Sequence, residues 1–318
     1  TVADYAKRLA LFWDFVEEED LEIAELGNQT QVDRSMAKYF NHLWAVGEPH
    51  NEGEKVKAAF EFANPDYSNA GHLVMPRAKR ALKGWRKQTP TQPTFAMPEE
   101  GAGALAARLH DLGDDEKGLW ILTALSTYMR PSENCKLQIG NILEPIKKSK
   151  GNMQWWTILL RPFEQQLLTK TKGFDEAIAL DDPRMPWLGL ALGRLAKKRR
   201  THFLRQGLSL EAADQQPLWS FSQANMLVSF KEAGKHLGIS WLTETLYVLR
   251  HGGVSRDIAL KTRSLQEVQR RGNWAHQGSL KHYEKHGRLQ WIMKKMGSNN
   301  LNLGSSWLRR CKAVYLGS

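Results

Sequence analysis

Apolar residues recur at helical spacing through most of this chain. The pattern lapses at two internal places and again at the end. In VADYAKRLALFWDFVEEE, Tyr5, Leu9, Phe12, Trp13 and Val16 share one helical face, a pattern that a strand's period of two does not produce. QVDRSMAKYFNHLWAVG repeats it and stops at Gly47, a natural helix end. EGEKVKAAFEFANPDY predicts a third helix, broken before Pro65. MPRAKRALKGWRKQ predicts a fourth, with Pro76 in its first turn. Helices with one apolar stripe bury it by packing on each other, so residues 1–88 predict a helical domain.

The first lapse is TPTQPTFAMPEEGAG, residues 89–103, whose three prolines predict a linker. Beyond it, GALAARLHDL and EKGLWILTALSTYM predict helices. The second lapse is WWTILLRPFEQQLLTKTKGFDEAIALD. Its segments 155–160, 165–170 and 176–180 predict short strands, with a turn around Lys172 and Gly173. Helical patterning returns at MPWLGLALGRLAKKRRTHFLRQG, and Ser264 with Glu267 forms a capping box that opens SLQEVQRRG. The expected fold is mainly α with a small antiparallel β-sheet: a helical domain at 1–88, a linker at 89–103, an α+β domain at 104–290 and a loose tail at 291–318.

Charge narrows the partners. Lys and Arg number 45 against 34 Asp and Glu, a formal net charge of +11, which favours a polyanion and nucleic acid first. Two stretches concentrate it. PRAKRALKGWRK carries Arg77, Lys79, Arg80, Lys83, Arg86 and Lys87 with no acid, and GRLAKKRRTHFLR carries Arg194, Lys197, Lys198, Arg199, Arg200 and Arg205. Cys135 and Cys311 are the only cysteines and lie far apart, which argues against a disulfide framework or zinc cluster and for a reducing compartment. No apolar run approaches a membrane span, so no membrane partner is expected. An intracellular location follows: the nucleus for a eukaryotic source, the cytoplasm otherwise. Neither a Walker A loop nor HExxH occurs. GAGALA at 101–106 follows prolines rather than a strand and reads as a helix start. Asp114-Asp115-Glu116 and Asp181-Asp182 read as caps and turns, the usual places for Asp, so no metal site or cofactor is expected.

Three further stretches bring basic and aromatic residues into a recognisable pattern. STYMRPSENCKLQIGNI places Arg130, Glu133 and Leu137 at intervals of three and four. YVLRHGGVSRD contains Tyr247, Arg250 and His251, and RRGNWAHQGSLKHYEK contains Trp274 and Tyr283, nine residues apart. Together with lysines in the turn of TKTKGFDEAIALD, they resemble the catalytic domain of the tyrosine recombinases, the phage-integrase family, over roughly residues 97–290. The variants LRHGG and RRGNW are most similar to eukaryotic members of algal or retroelement origin. The helical first domain matches the family's core-binding, DNA-binding domain in position and character.

The resemblance implies a site-specific DNA recombinase or integrase acting on double-stranded DNA, working as a homotetramer on that DNA and needing no cofactor or metal. It implies Tyr283 as nucleophile, forming a 3′-phosphotyrosyl ester, and Arg130 with Arg250 as the pair that holds the scissile phosphate. Lys170 is implied as general acid, with Lys172 as its close rival. Trp274 would pack the site and donate its indole N–H, while Glu133 and His251 would support it. In one place the sequence departs from the family: Tyr247 stands where its members carry His. A tyrosine titrates near pH 10 and a histidine near 6.5, so a tyrosine can donate a hydrogen bond but is a poor base at neutral pH. That departure keeps open a decayed recombinase that only binds DNA, and similar Arg/Lys/Tyr chemistry keeps open a DNA-relaxing enzyme of the type IB topoisomerase kind.

Overall fold

The computed structural model describes residues 2–23, 26–89, 94–146, 150–160, 176–284 and 286–317. The chain divides into two compact units, Thr1–Pro93 and Thr94–Ser318.

The first unit is four helices: α1 (Val2–Glu18), α2 (Gln29–Ala45), α3 (His50–Ala63) and α4 (Pro76–Gln88). Its core gathers Phe12, Phe15, Val32, Met36, Phe40, Val56, Phe60 and Trp85, all from the apolar stripes of the sequence pattern. The start of α4 lacks a capping side chain of its own, because Met75 holds that position. The buried carboxylate of Asp33 on α2 takes over, accepting the N–H groups of Arg77 at 3.0 Å and Ala78 at 2.9 Å. A negative charge at a helix N-terminus satisfies orphan donors and suits the helix dipole. It fixes α4 with Ala78 and Trp85 inward, while Arg77, Lys79, Arg80, Lys83, Arg86 and Lys87 are all exposed.

The second unit is built around α5 (Glu99–Asp111) and α6 (Asp115–Thr127), which are buried along most of their length. Then come α7 (Pro131–Cys135), strands β1 (Ile142–Leu143), β2 (Thr157–Leu160) and β3 (Glu176–Ala179), α8 (Leu188–Arg205), α9 (Leu210–Asp214) and α10 (Gln223–His236). The chain ends with α11 (Tyr247–Ala259), α12 (Leu265–Arg271), α13 (His286–Met296) and α14 (Ser298–Leu316). The sheet is antiparallel in the order β1-β2-β3, with Ile142 opposite Ile158 and Ile158 opposite Ile178. All three of these isoleucines are buried in the main core. The fold is therefore mainly α with a small antiparallel sheet. Among the described residues no helix is long and apolar enough to cross a membrane.

The structure departs from the sequence pattern in three places. The proline-rich stretch at 89–103 ends early, because α5 already starts at Glu99 and buries Gly101 and Gly103. The expected loose tail at 291–318 is not one over its described residues 291–317: they complete α13 and form α14, which buries Trp307 and Cys311. Gly304 lets α14 approach α5 so closely that a Cβ there would sit 1.7 Å from the Glu100 carbonyl oxygen. The two-residue strand β1 was not expected. Of the expected strands, 165–170 lies outside the described residues, as do Lys170 and Lys172.

Candidate active site

Arg130 occupies the break between two helices. Tyr128 ends α6 in the left-handed region with φ 58°, and Pro131 opens α7. Glu133 then reaches back. One carboxylate oxygen accepts the Arg130 backbone N–H at 2.8 Å, and the other accepts its guanidinium Nη1 at 2.6 Å. The Arg-x-x-Glu spacing thus works twice, capping α7 and aiming the arginine. Burial works against the Arg130 charge, but the Glu133 carboxylate outweighs it and raises the pKa above its ordinary value.

Arg250 lies one turn into α11 and is only 5% exposed. Its Nη1 donates to the Tyr128 carbonyl and its Nη2 to the Gly272 carbonyl, the latter at 2.6 Å. The guanidinium also lies over the Trp274 ring, 4.4 Å from its centroid. Burial lowers its pKa, and the nearby Arg130 charge lowers it further. The glycines after His251 explain how α11 comes so close. A Cβ on Gly252 would lie 2.1 Å from the Met97 carbonyl oxygen, and one on Gly253 1.9 Å from that of Leu125. Gly272 does the same for Trp274, whose ring folds back to within 1.6 Å of where a Cβ would sit.

Tyr283 follows a 3-10 turn at Gln277–His282 and is buried at 9% exposure. It belongs to a small cluster with Tyr128, Val254, Val268 and Leu280. Its ring centroid is 4.8 Å from His251 and 5.3 Å from Trp274. Burial pushes the hydroxyl above the ordinary phenol range, against the pull of Arg250 as charge and hydrogen-bond partner. Tyr247, the first residue of α11, is 41% exposed and close enough to act electrostatically on Arg130, Arg250 and Tyr283. A cleft of about 130 Å³ opens beside these groups, lined by Glu133, Glu176, Arg250, Arg270 and Gly272 among others.

Arg130, Glu133, Tyr247, Arg250, His251, Trp274 and Tyr283 therefore meet in one place. Two guanidiniums from separate elements, with tyrosine hydroxyls beside them, can hold a tetrahedral anion and attack it. On α8, Lys197 and Lys198 are exposed. Two further bases of that stretch bind protein carboxylates: Arg199 pairs with Glu116 at 2.7 Å and Arg200 with Asp214 at 2.5 Å.

The sequence reading missed a charged layer behind the site. Asp257 accepts from the Tyr128 hydroxyl, from Arg184 at 2.6 Å and from Arg256 at 3.0 Å. Asp182 accepts from Arg256 at 2.6 Å, and Asp181 binds Arg263 at 2.7 Å and Arg271 at 2.9 Å. Asp182 is a turn residue as expected, accepting the Arg184 backbone N–H, but it is also a buried counter-ion. The available signal was the alternation of Arg and Asp in VSRD and ALDDPR, and spacing does not distinguish such pairs from surface charges.

No family model and no curated protein matches the sequence. Solved structures do match. One is the XerH site-specific recombinase bound to a palindromic difH substrate in a post-cleavage complex, at 16% identity and TM-score 0.56, covering 92% of this chain and 77% of that one. The XerH pre-cleavage complex with difH aligns at 14% identity and TM-score 0.50, covering 85% and 71%. The Tn1549 transposon integrase, in complex with transposon right end DNA, aligns at 16% identity and TM-score 0.48, covering 83% and 84%. The chain has the tyrosine-recombinase fold.

Proposed function

We propose that this chain is a DNA strand transferase that cuts and rejoins duplex DNA through a 3′-phosphotyrosyl intermediate. The observation that carries this reading is the convergence of Arg130, Arg250 and Tyr283, from three distant segments, on one partly buried anion cradle. A DNA phosphodiester gathers charge on its non-bridging oxygens as it is attacked. Arg130 and Arg250 stabilise that charge, and losing one preorganised donor of this kind typically costs about 10²–10³ in rate. The Tyr283 oxygen attacks phosphorus as its proton passes to solvent water, and the bond to the 5′-oxygen breaks. Protonating that oxygen falls to Lys170, with Lys172 as the alternative, both outside the described residues. Tyr247 donates a hydrogen bond to a phosphate oxygen, and Trp274 packs against Arg250. The ester keeps the energy of the broken bond, so rejoining needs no nucleotide. Exchange between two duplexes requires four such sites, hence a homotetramer on DNA. The exposed bases of α4 supply backbone contacts.

The test uses suicide duplexes, nicked just downstream of the cleavage position so that the short fragment carrying the freed 5′-hydroxyl diffuses away. The expected result is a denaturation-resistant adduct whose DNA maps to the Tyr283 peptide and which Tyr283→Phe abolishes. An adduct on another residue moves the nucleophile. Duplex binding with no adduct favours the DNA-binding protein, and relaxation by a monomer without strand exchange favours the topoisomerase-like enzyme.

A further inference from the structure

The two carbonyls that grip Arg250 are backbone groups, and backbone groups hold a position only if something holds them. Gly272 lies between Arg271 and Asn273, the latter in the left-handed region with φ 55°. Tyr128 is also left-handed, at the end of α6. Asparagine tolerates that region, but a tyrosine does not, so Tyr128 needs outside support.

Arg271 touches the surroundings of both. Its guanidinium donates to the Ser126 carbonyl through Nε at 3.0 Å and Nη2 at 2.9 Å. Its Nη1 donates to the Ala179 carbonyl at the end of β3, at 2.9 Å, and to Asp181 at 2.9 Å. It also lies over the Tyr128 ring, 5.5 Å from the centroid. One side chain thus joins the last turn of α6, the end of β3 and the end of α12. Burying a guanidinium this deeply is costly, and an apolar residue of similar size would pack α12 at less cost. The fork geometry explains its presence: the planar guanidinium spreads fixed donors over Nε, Nη1 and Nη2 to reach two carbonyls and a carboxylate on separate elements, where a lysine has one ammonium point.

We infer that Arg271 is a positioning residue for Arg250, holding the carbonyls of Tyr128 and Gly272 where they orient the Arg250 guanidinium toward the substrate anion. This rests on the proposed strand-transfer reading for its chemical consequence, but not for its geometry.

The experiment has two arms. In the first, guanidinium ¹H–¹⁵N spectra are recorded for the full chain, with the Arg250 signals assigned by Arg250→Lys. Each Arg250 Nη grips a carbonyl, so rotation about its C–N bonds should be slow and its Nη protons resolved. Arg271→Lys should merge them, and Asp181→Asn should shift them partway if the lysine variant folds poorly. Leu192→Ala, in the core of α8, serves as a control of comparable melting temperature that leaves the Arg250 signals intact. In the second arm, single-turnover adduct formation is measured. Arg271→Lys should lose about tenfold to a hundredfold, the range expected of small misplacement, at unchanged duplex affinity. A methylphosphonate at the mapped cleavage position removes the charge that Arg250 neutralises and should recover most of that loss. Unaltered Arg250 signals in both variants, or the same changes in Leu192→Ala, overturn the inference. If the parent protein forms no adduct, the strand-transfer reading fails and the spectra alone decide the role of Arg271.

Discussion

Tyr247 and Tyr283 differ in what surrounds them. Tyr283 is enclosed by His251, Trp274 and Arg250, and burial holds its proton on. In the proposed mechanism it loses that proton as it attacks, and the Arg250 and Arg130 charges lower the cost by favouring the phenolate. Tyr247 is the exposed partner at the start of α11. In the proposed mechanism it orients the phosphate without accepting a proton. Tyr247→His should therefore raise the rate of adduct formation, most clearly between about pH 6 and 8, where an imidazole titrates. Tyr247→Phe should lower the rate only modestly, by one hydrogen bond. A pH–rate series on the three proteins checks this. Equal rates throughout would make Tyr247 a packing residue.

At the scale of elements, α4 and α8 show why equal runs of basic residues are not equal surfaces. On α8, Arg199 and Arg200 are held by Glu116 and Asp214. On α4 the inward face is Ala78 and Trp85, and all six bases are exposed, with only a loose 3.9 Å pair from Arg86 to Glu54 among the described residues. Each phosphate contact releases condensed counterion. Replacing Arg80 and Lys83 together by Ala should thus reduce the slope of log affinity against log salt by about 2, across duplex sequences. Adduct formation at saturating DNA should change little. An unchanged slope from equilibrium titrations at several salt concentrations would remove α4 from the DNA contact surface.

The second unit as a whole depends on a buried charge layer, and that layer predicts its response to acid. Asp257 is buried, which alone would raise its pKa, but Arg256, the Tyr128 hydroxyl and Arg184 draw it down to about 2. Asp181 and Asp182 are also below the ordinary carboxylate range: burial opposes the shift, and Arg263 with Arg271, and Arg256 with Arg184, overcome it. A folded-state pKa below the unfolded value gives stability that is present above about pH 4 and lost as pH falls toward 2. For Asp257 alone this is on the order of 2 kcal/mol. Urea unfolding at pH 7, 4 and 2.5 should show most of the loss below pH 4. Asp257→Asn should be less stable at pH 7 and lose less on acidification. Stability that stays flat down to pH 2.5 would contradict the pairing.

Much of this protein is legible in its residue order because it depends on local periodicity. The helices of the first unit follow from apolar spacing, and the Ser264–Glu267 capping box is a three-residue interaction that the structure shows at 2.7 Å. Arg130, Arg250, Trp274 and Tyr283 stood out through a family resemblance carried by short motifs, and Arg250, Trp274 and Tyr283 pack together in the structure. What the sequence could not show is what those spacings pack against. The last residues look aperiodic because Gly304 and its neighbours are chosen for contact with α5, not for one broad apolar stripe. Asp33 looks like any helical acid until α4 brings its N-terminus to it. Arg271 and Asp181 look like surface charges until the ends of α6, β3 and α12 meet around them. Burial makes such pairs matter, and burial is a property of the assembled fold: the same guanidinium worth little in water becomes a brace once solvent is excluded.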